Sequence, residues 1–203
     1  MEKVYDLPDV ELINAEATEP GFMIWIPEQT TIVLGQSNEP DLAVHLDRAM
    51  ADGVPVLKRS SGGQTVILTP QTVVISVRLI SHRLENPQVY FKQINSLIIN
   101  TLKNIGIKNL DQKGISDITI GEKKILGSSI YRKKSMVFYH AVLNIAEPIS
   151  SISRYLKHPT REPDYRAGRS HEEFVTSIRE AGYPFTPEQV RQALSETFFA
   201  VIF

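Results

Sequence analysis

The most constraining feature of this 203-residue chain is the stretch 54–68, where two β-prone runs enclose a small polar turn. Val54-Pro55-Val56-Leu57 enters, Lys58-Arg59-Ser60-Ser61-Gly62-Gly63-Gln64-Thr65 turns, and Val66-Ile67-Leu68 leaves. Adjacent glycines tolerate positive φ and let a backbone come close to a ligand, with their N–H groups converging on one acceptor. Two cations beside them suit an anion such as a carboxylate or a phosphate. Taken alone, the stretch reads equally well as an ordinary hairpin, because glycine pairs are common in turns.

The chain as a whole narrows the choice. Its length suits a single domain with a substantial core, here read as spanning 1–203 with a helical tail from about residue 150. Apolar and charged contents of 42% and 22% are ordinary for a soluble globular protein. A formal charge of −1 gives no reason to expect nucleic acid or an anionic membrane as partner. No apolar run approaches the roughly 18 residues of a membrane span, and the acidic N-terminus lacks the apolar core of a secretory leader, so the expected compartment is the cytoplasm. The absence of cysteine removes disulfides, thiolate metal sites and cysteine nucleophiles together.

Along the chain, residues 22–26 and 31–35 flank Pro27-Glu28-Gln29 and read as a hairpin. A helix is expected over about 41–52, with Leu42, His45, Leu46, Ala49 and Met50 on one face and Gly53 as the stop. Residues 73–80 and 136–145 read as strands. Phe91, Ile94, Leu97, Ile98, Leu102 and Ile105 give the stripe of an amphipathic helix over 87–105. The charged, proline-broken segment 157–169 reads as a solvated loop, with a lid carrying Arg161, Arg166 and Arg169 as the other reading. Ser170-His171-Glu172-Glu173 is a capping box opening a helix to about Ala181, and Thr186-Pro187 opens another to about Phe199. Strand-rich halves with irregularly placed helices argue for an α+β, mixed-sheet fold over an alternating doubly wound one.

A second stretch, 116–129, reads as strand, tight turn at Gly121, strand, and a further small-residue turn at Gly127-Ser128-Ser129. Together the two stretches resemble the lipoate-protein ligase family of cofactor transferases. That family's glycine loop, R-R-x-S-G-G-G-x-V, is followed by an N-D pair and K-[IV]-x-G-S-[AS]. Here these stand as Lys58-Arg59-Ser60-Ser61-Gly62-Gly63-Gln64-Thr65-Val66, Ser116-Asp117 and Lys124-Ile125-Leu126-Gly127-Ser128-Ser129. Gly35-Gln36-Ser37-Asn38 is similar to a family segment near the nucleotide, and His140 falls on the second histidine of its H-H-G-T strand. The resemblance covers about 24–145.

The resemblance implies a mixed, largely antiparallel β-sheet flanked by helices, as in lipoate and biotin ligase catalytic domains. It implies an enzyme that makes lipoyl-adenylate from lipoate and ATP, with Mg²⁺ as counter-ion. The lipoyl group then passes to a lysine of a lipoyl-carrier protein, such as a dehydrogenase acyltransferase domain or a glycine-cleavage H-like protein. Lys124 would be the essential lysine, bridging the lipoate carboxyl and the α-phosphate. Arg59, Ser61, Gly62, Gly63, Gln64, Thr65, Gly127, Ser128 and His140 would bind the lipoyl-adenylate, and Asn38 and Asp117 the nucleotide, Asp117 with its Mg²⁺. Val56, Val66, Ile75 or Val77 would wall the tunnel for the acyl tail.

The departures are specific. Gln64 replaces a third glycine, Ile67-Leu68-Thr69 replaces a histidine-aspartate, and Ser116 replaces asparagine. The family's N-terminal helix is not visible ahead of the first hairpin. The chain leaves little room for an accessory domain, so a separate accessory chain is one reading. Two alternatives remain: acyl transfer without ATP, which the missing cysteine opposes because related transferases use a cysteine thioester, and a non-catalytic lipoate- or adenylate-binding relative.

Overall fold

Two sheets lie at the centre of the structure, a computed structural model that describes residues 3–14, 19–82 and 85–202. The chain opens with β1 (Lys3–Val4) and α1 (Val10–Asn14), followed by β2 (Gly21–Trp25) and β3 (Thr31–Leu34). The short helices α2 (Pro40–Ala43) and α3 (Leu46–Ala51) lead to β4 (Val56–Lys58), the glycine turn, β5 (Val66–Leu68) and β6 (Thr72–Ile80). After α4 (Pro87–Asn104) come β7 (Leu110–Lys113), β8 (Asp117–Ile120), β9 (Lys123–Lys133) and β10 (Met136–Asn144). Helices α5 (Ile149–Tyr155), α6 (His171–Phe174) and α7 (Pro187–Ile202) follow. Among the described residues no helix is long and apolar enough to cross a membrane.

Six strands in the order β2-β6-β10-β9-β8-β7 form an antiparallel sheet, and β1-β4-β3-β5 form a smaller mixed one. This is the α+β, largely antiparallel architecture expected. Alternation along each strand sorts the side chains into layers. Val73, Ile75 and Val77 of β6 join Tyr139, Ala141 and Leu143 of β10 in the main core, with Ile94 and Ile98 of α4 and Leu194 and Phe198 of α7. Val74 points the other way, onto Val33 and Leu68 of the small sheet. The outer face of that sheet, Ile32, Leu34 and Ile67, packs on Val44, Ala49 and Leu156. The α4 stripe is as expected: Phe91, Ile94, Ile98 and Leu102 are buried, with Leu97 and Ile105 at the core's border. Asn86 caps this helix by accepting from the Gln88 N–H, with Pro87 in its first turn.

Several local expectations are corrected by long-range pairing. Strands β2 and β3 are not a hairpin, since β2 pairs with β6 in the large sheet and β3 with β4 and β5 in the small one. The glycine stretch is not a hairpin either. β3 lies between β4 and β5, so the turn crosses the C-terminal end of β3 at Gly35. The helix expected over 41–52 breaks at Val44-His45, where Val44 bridges to Leu156 and the His45 N–H donates to the Tyr155 carbonyl at 2.8 Å. Its inward side chains are therefore Val44 and Ala49, while Leu42 and Met50 are exposed. Gly127-Ser128-Ser129 lies within β9 and makes no turn. The helix opened by the capping box stops at Phe174, because Val175 bridges to Lys124 and the Thr176 N–H donates to the Lys124 carbonyl at 2.9 Å. A short helix, α1, stands where none was expected.

Candidate functional site

Lys124 is aimed by an irregularity in the sheet. β8 and β9 pair as Asp117↔Gly127 and Ile118↔Leu126, and then the register shifts so that Thr119 meets Lys124, leaving Ile125 as an extra residue. In a regular strand, Lys124 and Gly127 would face opposite sides, being three positions apart. With the bulge, Ile125 and Leu126 both enter the helix-side core and Lys124 shares a face with Asp117 and Gly127. The Lys124 Nζ lies 2.9 Å from Asp117 Oδ1. A Cβ on Gly127 would stand 2.7 Å from that Nζ, so the lysine lies across the glycine. Asp117 is buried, and the Tyr165 hydroxyl donates to its Oδ2 at 2.7 Å.

The glycine turn is shaped from within by Arg59, which is buried. Its Nε–H donates to Ser61 Oγ at 3.0 Å, its Nη1 to the Val33 carbonyl at 3.2 Å, and its Nη2 to the Gly62 and Gln64 carbonyls at 2.8 Å each. Burial pulls its pKa down to about 10, which still leaves a cation at neutral pH. Arg59 therefore acts on the shape of the turn more than as a free anion grip. Ser61 Oγ, which accepts from Arg59, also shares a hydrogen bond with His140 Nε2, 2.7 Å away. Burial, and then the Arg59 charge, push the His140 pKa down to about 3, so the ring is neutral. Ser129 and Ser128 hydroxyls donate to the Gly62 and Ser116 carbonyls at 2.9 and 2.6 Å.

Gly35 is the close-approach position. A Cβ there would be 2.0 Å from the Gly63 carbonyl oxygen, so the crossing over β3 demands glycine. Gly63 itself has φ +91°. Asn38 Oδ1 accepts from the Gly35 N–H and the Thr65 hydroxyl, both at 3.0 Å, and braces the turn from the neighbouring loop.

Two cavities meet at Lys124. The larger, about 510 Å³, is bordered by Gly63, Asp117, Ser129 and His140 and by the apolar Val33, Leu68 and Val74. The smaller, about 250 Å³, is bordered by Asn38, Asn144, Glu147 and Phe174. Lys124, Gln64, Thr65, Gly127 and Arg161 border both. Of the residues singled out in the sequence, Arg59, Ser128, His140 and Asp117 thus lie on the larger cavity and Asn38 on the smaller; Ser61 and Gly62 border neither and sit behind the wall. Among the four tunnel candidates only Val66 borders either of these two cavities, because Ile75 and Val77 face the helices and Val56 packs on the outer face of the small sheet.

The 157–169 segment is not a solvated loop. Tyr165 reaches Asp117, Arg166 is buried with its guanidinium carbon 4.8 Å from the Phe174 ring centre, and Arg161, Glu162 and Pro163 border the larger cavity. Arg166 and Arg169 donate to carbonyls of their own loop; Arg161 borders both cavities and Arg166 the smaller one. Tyr165 is a site residue that no local pattern announces, since its partner Asp117 is far away in sequence. Among the described residues no group of three His, Asp or Glu side chains could hold a metal, and Asp117 commits both oxygens to Lys124 and Tyr165.

Residues 9–199 match the family model described as the lipoyl protein ligase A/B catalytic domain, extending on both sides of the stretch that carries the motifs. A protein of Aeropyrum pernix named as a candidate lipoate-protein ligase A is 30% identical over 147 residues, 71% of this chain and 54% of that protein. The chain thus spans about half the length of that curated relative. A solved chain from the bi-partite lipoate protein ligase and E2 lipoyl domain system of Thermoplasma acidophilum is similar with a TM-score of 0.79 and 22% identity, over 93% of this chain and 73% of that one. A lipoate-protein ligase A solved with bound ATP gives a TM-score of 0.74 and 22% identity, over 88% and 71%. These two structures share this chain's fold.

Proposed function

Because this chain belongs to the lipoyl protein ligase A/B catalytic-domain family, we propose that it is an ATP-dependent lipoate–protein ligase. The observation that carries this reading is the position of Lys124, on the shared border of two cavities that meet beside the glycine turn. The acyl tail occupies the larger cavity, against Val33, Leu68 and Val74, and the nucleotide occupies the smaller, beside Asn38 and Glu147. Carboxylate and α-phosphate then meet at the lysine ammonium.

In the first step a lipoate carboxylate oxygen attacks the α-phosphorus and the bond to the β-phosphate breaks, releasing pyrophosphate. In the second, the neutral amine of an acceptor lysine attacks the acyl carbon, AMP leaves, and the amide nitrogen gives up a proton. Both steps gather negative charge where Lys124 stands, and an oriented cation in a recessed site stabilises that charge without reorganising. Asp117 and Tyr165 hold the ammonium in place, and Arg59, Ser61 and Asn38 hold the turn that faces it. Mg²⁺ comes as the counter-ion of ATP, bound chiefly by the phosphates.

A lipoyl-carrier domain is the acceptor in this reading, which the E2 lipoyl domain of the similar Thermoplasma system supports. The bi-partite nature of that system likewise supports a separate accessory chain. A chain without cysteine has no thiol to carry an acyl group, which favours ATP activation over direct octanoyl transfer. The test is lipoate-dependent exchange of labelled pyrophosphate into ATP, followed by mass spectrometry of a lipoyl domain for one added lipoyl amide. Exchange and mass gain are expected in the wild type and lost in Lys124→Met. No exchange by the folded wild type, alone or with an accessory chain supplied, would sink the reading.

A further inference from the structure

Asp9 has no part in the chemistry above, yet its carboxyl is completely buried. Its Oδ1 accepts from the Tyr5 hydroxyl and its Oδ2 from the Ser76 hydroxyl, each at 2.6 Å. Desolvation raises the Asp9 pKa, and such a group persists inside a protein only when its oxygens are satisfied. What this anchor holds is the Tyr5 ring, which borders the larger cavity and packs on the Val33, Leu68 and Val74 cluster.

Strand order gives the ring's place in that cavity. Lys124 is on β9, His140 on the adjacent β10, and Ser76 on β6 beyond it; Ser129, His140 and Ser76 are paired across the three strands. Neighbouring strands lie roughly 4.8 Å apart, so the path from β9 to β6 is about 10 Å. The cavity therefore has Asp117 and Lys124 of β8 and β9 on one side and Tyr5, tied through Asp9 to β6, on the other, where the ring packs on Val33, Leu68 and Val74.

We propose that the Tyr5 ring, held by Asp9, is the end stop of the acyl channel and sets the length of the carboxylic acid the site accepts. The inference rests on the reading of the larger cavity as the acyl site. Ser76 fixes Asp9 to a central strand and Asp9 fixes the phenol, so the ring cannot swing aside without leaving one oxygen of a buried carboxyl unpaired. A longer tail meets a braced wall, and a shorter one leaves part of the channel unfilled.

The experiment is calorimetric binding of lipoate and of straight-chain acids from six to fourteen carbons to the whole chain. The wild type is expected to show one length optimum. Tyr5→Ala moves it at least two carbons longer and raises the twelve- to eight-carbon affinity ratio roughly tenfold, the worth of two more buried methylenes. Tyr5→Phe keeps the ring but frees it from Asp9, so the length optimum broadens toward longer acids, and Tyr5→Trp shifts the preference to shorter acids, giving a second reading if the alanine variant does not fold. A wild type that binds no acid at all overturns the ligase reading and this inference with it. A wild type that binds, with folded Tyr5→Ala and Tyr5→Trp variants keeping its length profile, overturns the end stop alone.

Discussion

On the helix side of the six-stranded sheet, Ile75, Val77, Ile118, Ala141 and Leu143 pack in one apolar core with α4 and α7, while the opposite side of the same strands presents Ser76, His140, Asn144, Asp117 and Lys124. The first set is apolar volume and tolerates exchange of like for like. In the second, each polar group has a specific partner: Ser76 with Asp9, His140 with Ser61, Asn144 with Glu147, and Asp117 with Lys124. One sheet thickness thus separates apolar side chains that fill the core from polar side chains paired one to one around the cleft.

The sharpest test of that division is Lys124→Met. It should slow lipoate-dependent pyrophosphate exchange by a hundred- to a thousandfold, about 3–4 kcal/mol of transition-state stabilisation. Ile98→Ala, on the helix side, should lower the unfolding free energy by about 2–5 kcal/mol in urea melts. Its folded fraction should keep the wild-type rate; a loss like that of Lys124→Met would break the comparison. Tyr165→Phe removes one donor from Asp117, so kcat should fall several-fold, about 1 kcal/mol, with KM for the acid unchanged.

A further effect is on pH. His140 in the folded chain stays neutral down to about pH 3, whereas in the unfolded chain it takes a proton near pH 6.5. Between those values the unfolded state binds more protons, so acidification destabilises the fold, by at most about 1.4 kcal/mol per pH unit. This contribution is fully present above pH 6.5. His140→Gln should flatten that part of the stability profile, measured by urea melts across the window.

How much was legible varies with how local the cause is. The α4 stripe could be read because a 3.6-residue period is a property of neighbouring residues. The capping box at Ser170 was equally plain, but the end of its helix was not, since Val175 leaves the helix to pair with Lys124. The 41–52 segment has a helical pattern that a bridge to Leu156 overrides. In the site, the glycine turn and Lys124 stood out as motifs. The place of Tyr165 did not, because a tyrosine in a charged loop gives no sign of a carboxylate partner on a distant strand.

The sequence by itself determined the longer strands, the α4 helix and the glycine turn, because each depends on residues a few positions apart, while Lys124 stood out only through the resemblance. Tertiary structure alone decided which way that lysine points. Ile125 is one residue too many for the ladder between β8 and β9, and its burial in the core shared with α4 and α7 reverses the alternation just ahead of Gly127. The energy that fixes that reversal comes from cross-strand pairing and packing against distant helices, and no local pattern of side chains carries it.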